Sequence, residues 1–525
     1  MHAPHHVAPE WIDKFKGQFD EGWDALRSSI FERQLAMGAI PPETVLTERP
    51  EQVPSWDEYP DRYKPVASRL MEVFAGFMAH TDAQVEKVID YLVDQDAFDN
   101  TLVIYLTGDN GASAEGTVHG AWSAPSFQNG VHEDPEWLLE HMEDFGTERC
   151  ENHFNVGWAW ALDSPFQWMK QVASHFGGTR NALAVSWPKG IGARDEFRQQ
   201  FQHVIDVFPT LLEVAGIPMP GRVNGIEQDE VHGTSMVPTF ADASTPSTHV
   251  TQYFEILGNR AIYHDGWMAS CFHGRLPWIR FAGFEFDGEQ EVWELYHVAE
   301  DFSQSVDLAA KHPEKLRQLQ ELFEQEAERY GVYPLRDASG RRGGDYAPPH
   351  SLEGHRKMTY GPMHVRLPEH GVINLKNTSF RITGSVETGE ASMGVIACQG
   401  GNMAGWSLYL DSESRPTYVY NWFGHEFTTI TGSPLGPGEH QICVDYAHDG
   451  GFAAGGDLLL SVDGQRVATG RIERSVPVIF SMSGETFDVG RDTGSPVGKY
   501  PHDFAFSGSI QGVTLERLSE PTDEV

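Results

Sequence analysis

The chain has 525 residues, 38 Lys plus Arg against 76 Asp plus Glu, a formal net charge of −38 and four cysteines. That length exceeds one ordinary domain and allows large cores, while so acidic a surface excludes nucleic acid and anionic membranes as partners. No stretch of about 18 apolar residues offers a transmembrane helix, and Cys150, Cys271, Cys398 and Cys443 have no C-x-x-C spacing for a metal site or disulfide framework.

The opening MHAPHHVAPEW lacks a basic segment followed by an apolar core, so no signal peptide is read and the default compartment is cytoplasmic. Its histidines by themselves read as a frayed terminus. Residues 19–38 read as an amphipathic helix with Trp23, Leu26, Ile30 and Phe31 on one face and Gly38 as its stop. A Pro-rich stretch follows. Residues 63–95 give the longest helical pattern, with Leu70, Phe74, Phe77, Met78, Val85, Val88, Ile89 and Leu92 expected in the core. Residues 101–107 are apolar almost throughout, as in a strand covered on both faces and flanked by parallel neighbours, which 1–100 do not supply. The strand runs into Gly108-Asp109-Asn110-Gly111. Asp-Asn-Gly is common turn chemistry. It also offers a carboxylate and an amide oxygen, hard donors suited to Ca²⁺ or Mg²⁺ at the edge of a sheet where ligands sit.

Residues 114–154 read as a long loop with little regular structure. Pro165 then precedes a turn carrying Lys170, and Gly177-Gly178-Thr179-Arg180 leads into an apolar strand at 182–187. Residues 204–216 form a helix with Leu211, Leu212 and Ala215 expected to pack inward. Residues 251–271 read as hairpins, 293–296 as a further strand, and 313–330 as an amphipathic helix.

Several of these stretches together resemble the type I sulfatases of the alkaline-phosphatase superfamily. They are DYLVDQDAFDNTLVIYLTGDNGA, Lys170-x6-Gly177-Gly178-x-Arg180 with Trp187-Pro188 behind it, VIDVFPTLLEVAG, and the run from Leu295-Tyr296 to Asp307-Leu308-Ala309. The resemblance spans roughly residues 2–332. It implies that Asp109 and Asn110 are metal ligands and that Lys170 contacts the sulfate. In the HAPHHVAP run it implies that His2 holds the sulfate ester near its leaving oxygen. The implied cofactor is Ca²⁺ (Mg²⁺ as the alternative), and the implied partner is a sulfate-ester small molecule or sulfated glycan. The implied reaction is hydrolysis of sulfuric esters, in which a hydrated formylglycine attacks sulfur and a His protonates the leaving alcohol.

The departures matter equally. The family makes its nucleophile from the Cys or Ser of a C/S-x-P/A-x-R motif, and none stands in this sequence. Cys271-Phe272-His273-Gly274-Arg275 has His at the middle position, and Ser123-Ala124-Pro125-Ser126-Phe127 ends in Phe. The family's N-terminal Asp-Asp pair and Lys-x-His pair are missing too. The expectation is therefore a catalytic domain lacking its N-terminal part, with no nucleophile of its own, weak cation affinity and no appreciable activity alone. The missing motifs, and any signal peptide, are expected upstream of Met1. A phospho- or phosphonate hydrolase of the same superfamily, or a non-catalytic remnant with a glycan-binding sandwich, remain alternatives.

Beyond the resemblance, residues 339–370 read as a Gly/Pro/Arg linker. From 371 to 525 short alternating strands recur, with Asp463-Gly464 as a two-residue hairpin turn. This looks like a concanavalin-type jelly roll. Trp406, Tyr418, Tyr420 and Trp422 serve there either as sugar-stacking platforms or as core. The expected fold class is α/β: an incomplete alkaline-phosphatase-like sulfatase core (1–338) with a small C-terminal antiparallel sheet, followed by an all-β jelly-roll sandwich. The oligomeric state is not legible.

Overall fold

The computed structural model describes residues 2–192, 195–280, 291–335, 352, 354–482 and 484–519. The chain divides into two compact units. One comprises Met1–His2, Val7–Gly120 and Phe154–Ala338; the other comprises Ala3–His6, Ala121–His153 and Ser339–Val525.

The first unit is α/β. Helix Gly22–Met37 ends where Gly38 turns left-handed at φ 70°, a conformation glycine adopts without steric cost. Its Trp23 is fully buried and meets Trp56, Tyr59 and Trp158 edge-on at 4.7–5.5 Å. Helix Lys64–Asp94 carries Pro65 in its first turn, where its missing N–H costs nothing. Its buried face runs only from Val66 to Gly76. The predicted core residues beyond that are not core: Val88 is 60% exposed, and Phe77, Met78, Val85, Ile89 and Leu92 are half-buried. The amphipathic period fixes which face is apolar, but a neighbouring layer decides how far along the helix that face is covered.

The strand Val103–Leu106 pairs antiparallel with Leu183–Ser186, Ile104 opposite Val185. Burial on both faces and parallel neighbours were expected. The sheet instead has two strands, and its side chains are half-buried or exposed, with Leu106 38% exposed. A two-stranded ladder gives each strand one neighbour and closes neither face. Among the described residues of 1–100 there is no strand, as predicted.

Helix Val207–Ala215 also departs from expectation: Leu211 is 45% exposed, Ala215 is exposed and Leu212 half-buried. The helix is held by polar caps instead. Buried Asp206 accepts from the backbone N–H groups of His203 and Thr234, both at 2.8 Å, and from His249 Nδ1 at 2.7 Å. Thr210 Oγ1 accepts from Met236 N–H at 2.9 Å. The hairpins fold as read. Thr251–Ile256, Asn259–His264, Trp267–Cys271 and Trp293–Tyr296 form a four-stranded antiparallel sheet in that order. Helix Pro313–Arg329 lays Leu319, Phe323 and Ala327 on Ile262, Ala269 and Leu295. Each of the Leu, Ile and Phe side chains among them contributes roughly 1.5–3 kcal/mol on burial.

The second unit is built on a β-sandwich formed by its 357–517 part. One sheet has six strands, ordered by first residue Gln465, Gly456, Gly438, Phe380, Ser509 and Lys357; the other has five, beginning at Glu426, Pro416, Gly405, Gly394 and Phe487. Along Phe380–Thr388 every second side chain is buried, and both sheets feed one core that includes Ile382, Val444, Leu460, Leu408 and Trp406. Asp463 and Gly464 have φ of 50° and 78°, the left-handed pair that a tight hairpin turn between Val462 and Gln465 requires. Trp406, Tyr418, Tyr420 and Trp422 are at most 5% exposed, so they are core and not a sugar-stacking platform.

Two boundaries shift. Of the expected linker, 339–351 and 353 lie outside the described residues. Lys357–Tyr360 within it is an edge strand of the six-stranded sheet, and its fully buried Tyr360 accepts from Ile373 N–H at 3.0 Å. The expected loop at 114–154 contains short helices Ala124–Gln128 and Pro135–Glu140. Its Ala121–His153 part packs with the sandwich: Asn129 Nδ2 donates to Ile479 O at 2.8 Å, and Trp137 stacks on His425 at 3.8 Å.

Candidate functional site

The site is built where the turn after Val103–Leu106 meets the turn before Leu183–Ser186. Gly108 stands at φ 130°, which only glycine holds without strain. Gly111 donates to Gly178 O at 3.1 Å, and Lys170 N–H donates to Ala112 O at 3.1 Å. A Cβ on Gly111 would lie 1.7 Å from Gly177 O; one on Gly177, 2.1 Å from Gln167 O; one on Gly178, 2.2 Å from Val172 O. The Gly-Gly pair is thus a backbone-on-backbone contact that draws the Asp-Asn turn and the Lys170 turn together. Beneath them, half-buried Asp163 accepts from Ala112 N–H at 2.9 and 3.1 Å. Burial pushes its pKa well above the usual carboxylate range, against the pull of that N–H and of Arg27. Arg27 itself is lowered to about 10 by burial.

Lys170 is flanked by Trp168 at φ 64° and Gln171 at φ 78°. Such non-glycine conformations cost about 1–3 kcal/mol each and persist where the surroundings over-determine them. Here Trp168 packs on Phe272 at 4.3 Å and Gln171 O accepts from Asn259 Nδ2 at 2.9 Å. The constraint aims Lys170 Nζ at Glu115 Oε1, 3.1 Å away. The other oxygen of that carboxylate, Oε2, lies 3.0 Å from His2 Nε2. One anion therefore joins the two candidate residues His2 and Lys170, which are far apart in sequence. Gln171 Nε2 donates to the same carboxylate at 3.4 Å, and Gln171 Oε1 accepts from Arg275 Nη2 at 2.7 Å.

Asp109 is exposed, and its Oδ1 accepts from Asn110 Nδ2 at 3.0 Å. Both side chains offer hard oxygens, but Ca²⁺ takes six to eight and Mg²⁺ six. Among the described residues no group of three His, Cys, Asp or Glu ligands gathers at this turn. The donors present suit a divalent cation in kind and fall short of one in number. Such a group occurs in the sandwich, at buried Cys398, Asp488 and Asp492. There Asp488 accepts from Arg366 and Thr493, and Asp492 from Tyr500 Oη at 2.7 Å, so the carboxylates serve as internal hydrogen-bond anchors.

The two near-miss nucleophile stretches are structural. Cys271 ends a strand, fully buried, and burial pushes its thiol up to about 12, far from a reactive thiolate. Ser123 is buried ahead of helix Ala124–Gln128. Sequence reading missed Glu115, Gln171 and Asp163. Glu115 lies in a stretch with no hydrophobic period, and only proximity to Lys170 and His2 distinguishes it from other surface acids.

Residues 1–217 match the family model described as Sulfatase. The chain is 30% identical over 327 residues to an uncharacterized sulfatase of Schizosaccharomyces pombe, covering 61% of this chain and 55% of that protein. It is 28% identical over 217 residues to an arylsulfatase of Klebsiella aerogenes, covering 41% and 44% respectively. The chain thus spans about half the length of these relatives. Among solved structures, that of Ps i-CgsB aligns at 18% identity and a TM-score of 0.32, covering 60% of this chain and 56% of the other.

Proposed function

We propose, from the match of residues 1–217 to the Sulfatase family model, that the chain works in sulfuric ester hydrolysis, with Lys170 and His2 as the groups that hold the sulfate. The observation that carries this reading is the shared carboxylate: Lys170 Nζ and His2 Nε2 converge on Glu115 at 3.1 and 3.0 Å. Two donors that grip two oxygens of one anion are the grip a sulfate group needs. Lys170 is a compact point charge whose backbone is locked, so it neutralises developing charge without reorganising. His2 is the group suited to hold, and to protonate, a leaving oxygen. Asp109 and Asn110 are proposed as two oxygens of a Ca²⁺ shell. A bound cation would supply Lewis-acid polarisation of the sulfate. The chain's residues supply no nucleophile to this reading, so it is a reading of substrate binding and leaving-group chemistry. The substrate class is a sulfate ester of a small molecule or glycan.

The test is calorimetric titration of the full chain with sodium sulfate at constant ionic strength. Sulfate should bind, Lys170→Ala should remove the binding, and His2→Ala should weaken it. Inorganic phosphate binding in preference to sulfate would overturn the sulfuric-ester reading and favour a phospho- or phosphonate hydrolase.

A further inference from the structure

Glu115 is acidic in a place where the proposed ligand is also an anion. Its Oε1 faces Lys170 Nζ at 3.1 Å and its Oε2 faces His2 Nε2 at 3.0 Å. The two oxygens thus take one donor apiece from the two residues that would hold a sulfate group. A carboxylate so placed presents the same partners with the same charge sign as two sulfate oxygens. The pair is partly withdrawn from water: the Glu115 side chain is 12% exposed and that of Lys170 20%. Screening is correspondingly weaker than for an open surface pair. Gln171, itself held by Arg275 at 2.7 Å, adds a donor to the same Oε1. The carboxylate is therefore held on the cationic donors by more than one contact.

We propose that Glu115 is a built-in competitor for the sulfate site. Its carboxylate covers Lys170 and His2 and is displaced when the sulfate group of a substrate takes the same two donors. This rests on the reading that Lys170 and His2 face sulfate. The step is an exchange of one anion for another, with no bond made or broken. It sets a threshold: an anion that grips both donors displaces the carboxylate, and one that grips a single donor does not. A role limited to orienting Lys170 predicts the opposite sign, since removing an orienting partner weakens anion binding.

The experiment titrates sodium sulfate, at ionic strength balanced with sodium chloride, into the full chain, Glu115→Gln, Glu115→Ala, Lys170→Ala and the Glu115→Gln/Lys170→Ala pair. Far-UV circular dichroism and thermal midpoints check that each variant folds, and Glu115→Ala serves as the second test if the Gln variant does not. Removing the competing charge should tighten sulfate binding about threefold to fivefold, the effect of one ion pair near the surface. Lys170→Ala should abolish binding in both backgrounds. Equal or weaker sulfate binding by Glu115→Gln, with Lys170→Ala still abolishing it, overturns the competitor role and leaves the sulfate site standing. Binding that survives Lys170→Ala overturns both.

Discussion

Leu106 and Leu408 lie in similarly apolar strands, VIYL and GWSLYL, yet Leu106 is 38% exposed and Leu408 fully buried. Leu106 belongs to a two-stranded ladder. Leu408 lies in a strand paired on both sides, in a sheet that shares a core with a second sheet. The residues differ little; the layers around them differ greatly. Apolar sequence states a demand for burial, and the number of neighbouring strands decides whether it is met. The first unit shows the same in its helices, where Val88 and Leu211 are 60% and 45% exposed. What that unit builds precisely is polar and backbone contact: the Gly-Gly approach, the Asp163 and Asp206 anchors, and the Glu115 bridge.

This contrast is open to measurement. Leu408→Ala should cost about 2–5 kcal/mol, because it leaves a cavity in a closed core, read as a lowered midpoint of cooperative β-type unfolding in urea. An unchanged midpoint would mean the sandwich core is not as tightly closed as described. Gly111→Ala should cost about 3 kcal/mol, at the upper end of overpacking. The added Cβ would sit 1.7 Å from Gly177 O, and sulfate affinity should fall with stability as Lys170 shifts. A variant as stable and as avid as the parent would show that backbone contact does not hold this site together.

His203 tests the first unit by pH. Burial, then the neighbouring His249, lowers its pKa from 6.5 to about 4, with Asp206 pulling the other way. Between those values the unfolded chain binds a proton that the folded chain does not, so stability falls as pH falls from 6.5 towards 4. Replacing it by Gln should remove roughly 1–2 kcal/mol of that acid-side loss, seen by comparing urea midpoints at pH 7 and pH 4.5. A slope that the substitution leaves intact would assign the acid sensitivity elsewhere. Leu106→Ala should cost less than about 1 kcal/mol, since the side chain is already wet. A loss as large as that of Leu408→Ala would erase the comparison. The exposed Lys357–Glu516 pair, at 3.0 Å, should matter least: Lys357→Ala is worth about 0.5 kcal/mol or less, and high salt should abolish even that.

Much of this was legible in the chain itself. Local chemistry dictates the stop at Gly38, the Asp463-Gly464 turn, the hairpins of the small sheet and the Pro313 helix, because each depends on residues close in sequence. The sulfatase motifs likewise announced Asp109, Asn110 and Lys170 as candidates. Three things depended on contacts between residues far apart in sequence, and only the tertiary structure decided them. Tyr360 and the strand Lys357–Tyr360 left the linker for the sandwich because the sheet edge beside Ser509–Arg517 takes one more strand. Trp406, Tyr418, Tyr420 and Trp422 became core because a second sheet covers them. Glu115 became part of the site because the fold sets it between His2 and Lys170. Sequence spacing does not encode a distance across such loops, and a lone acid carries no pattern until its partners stand beside it.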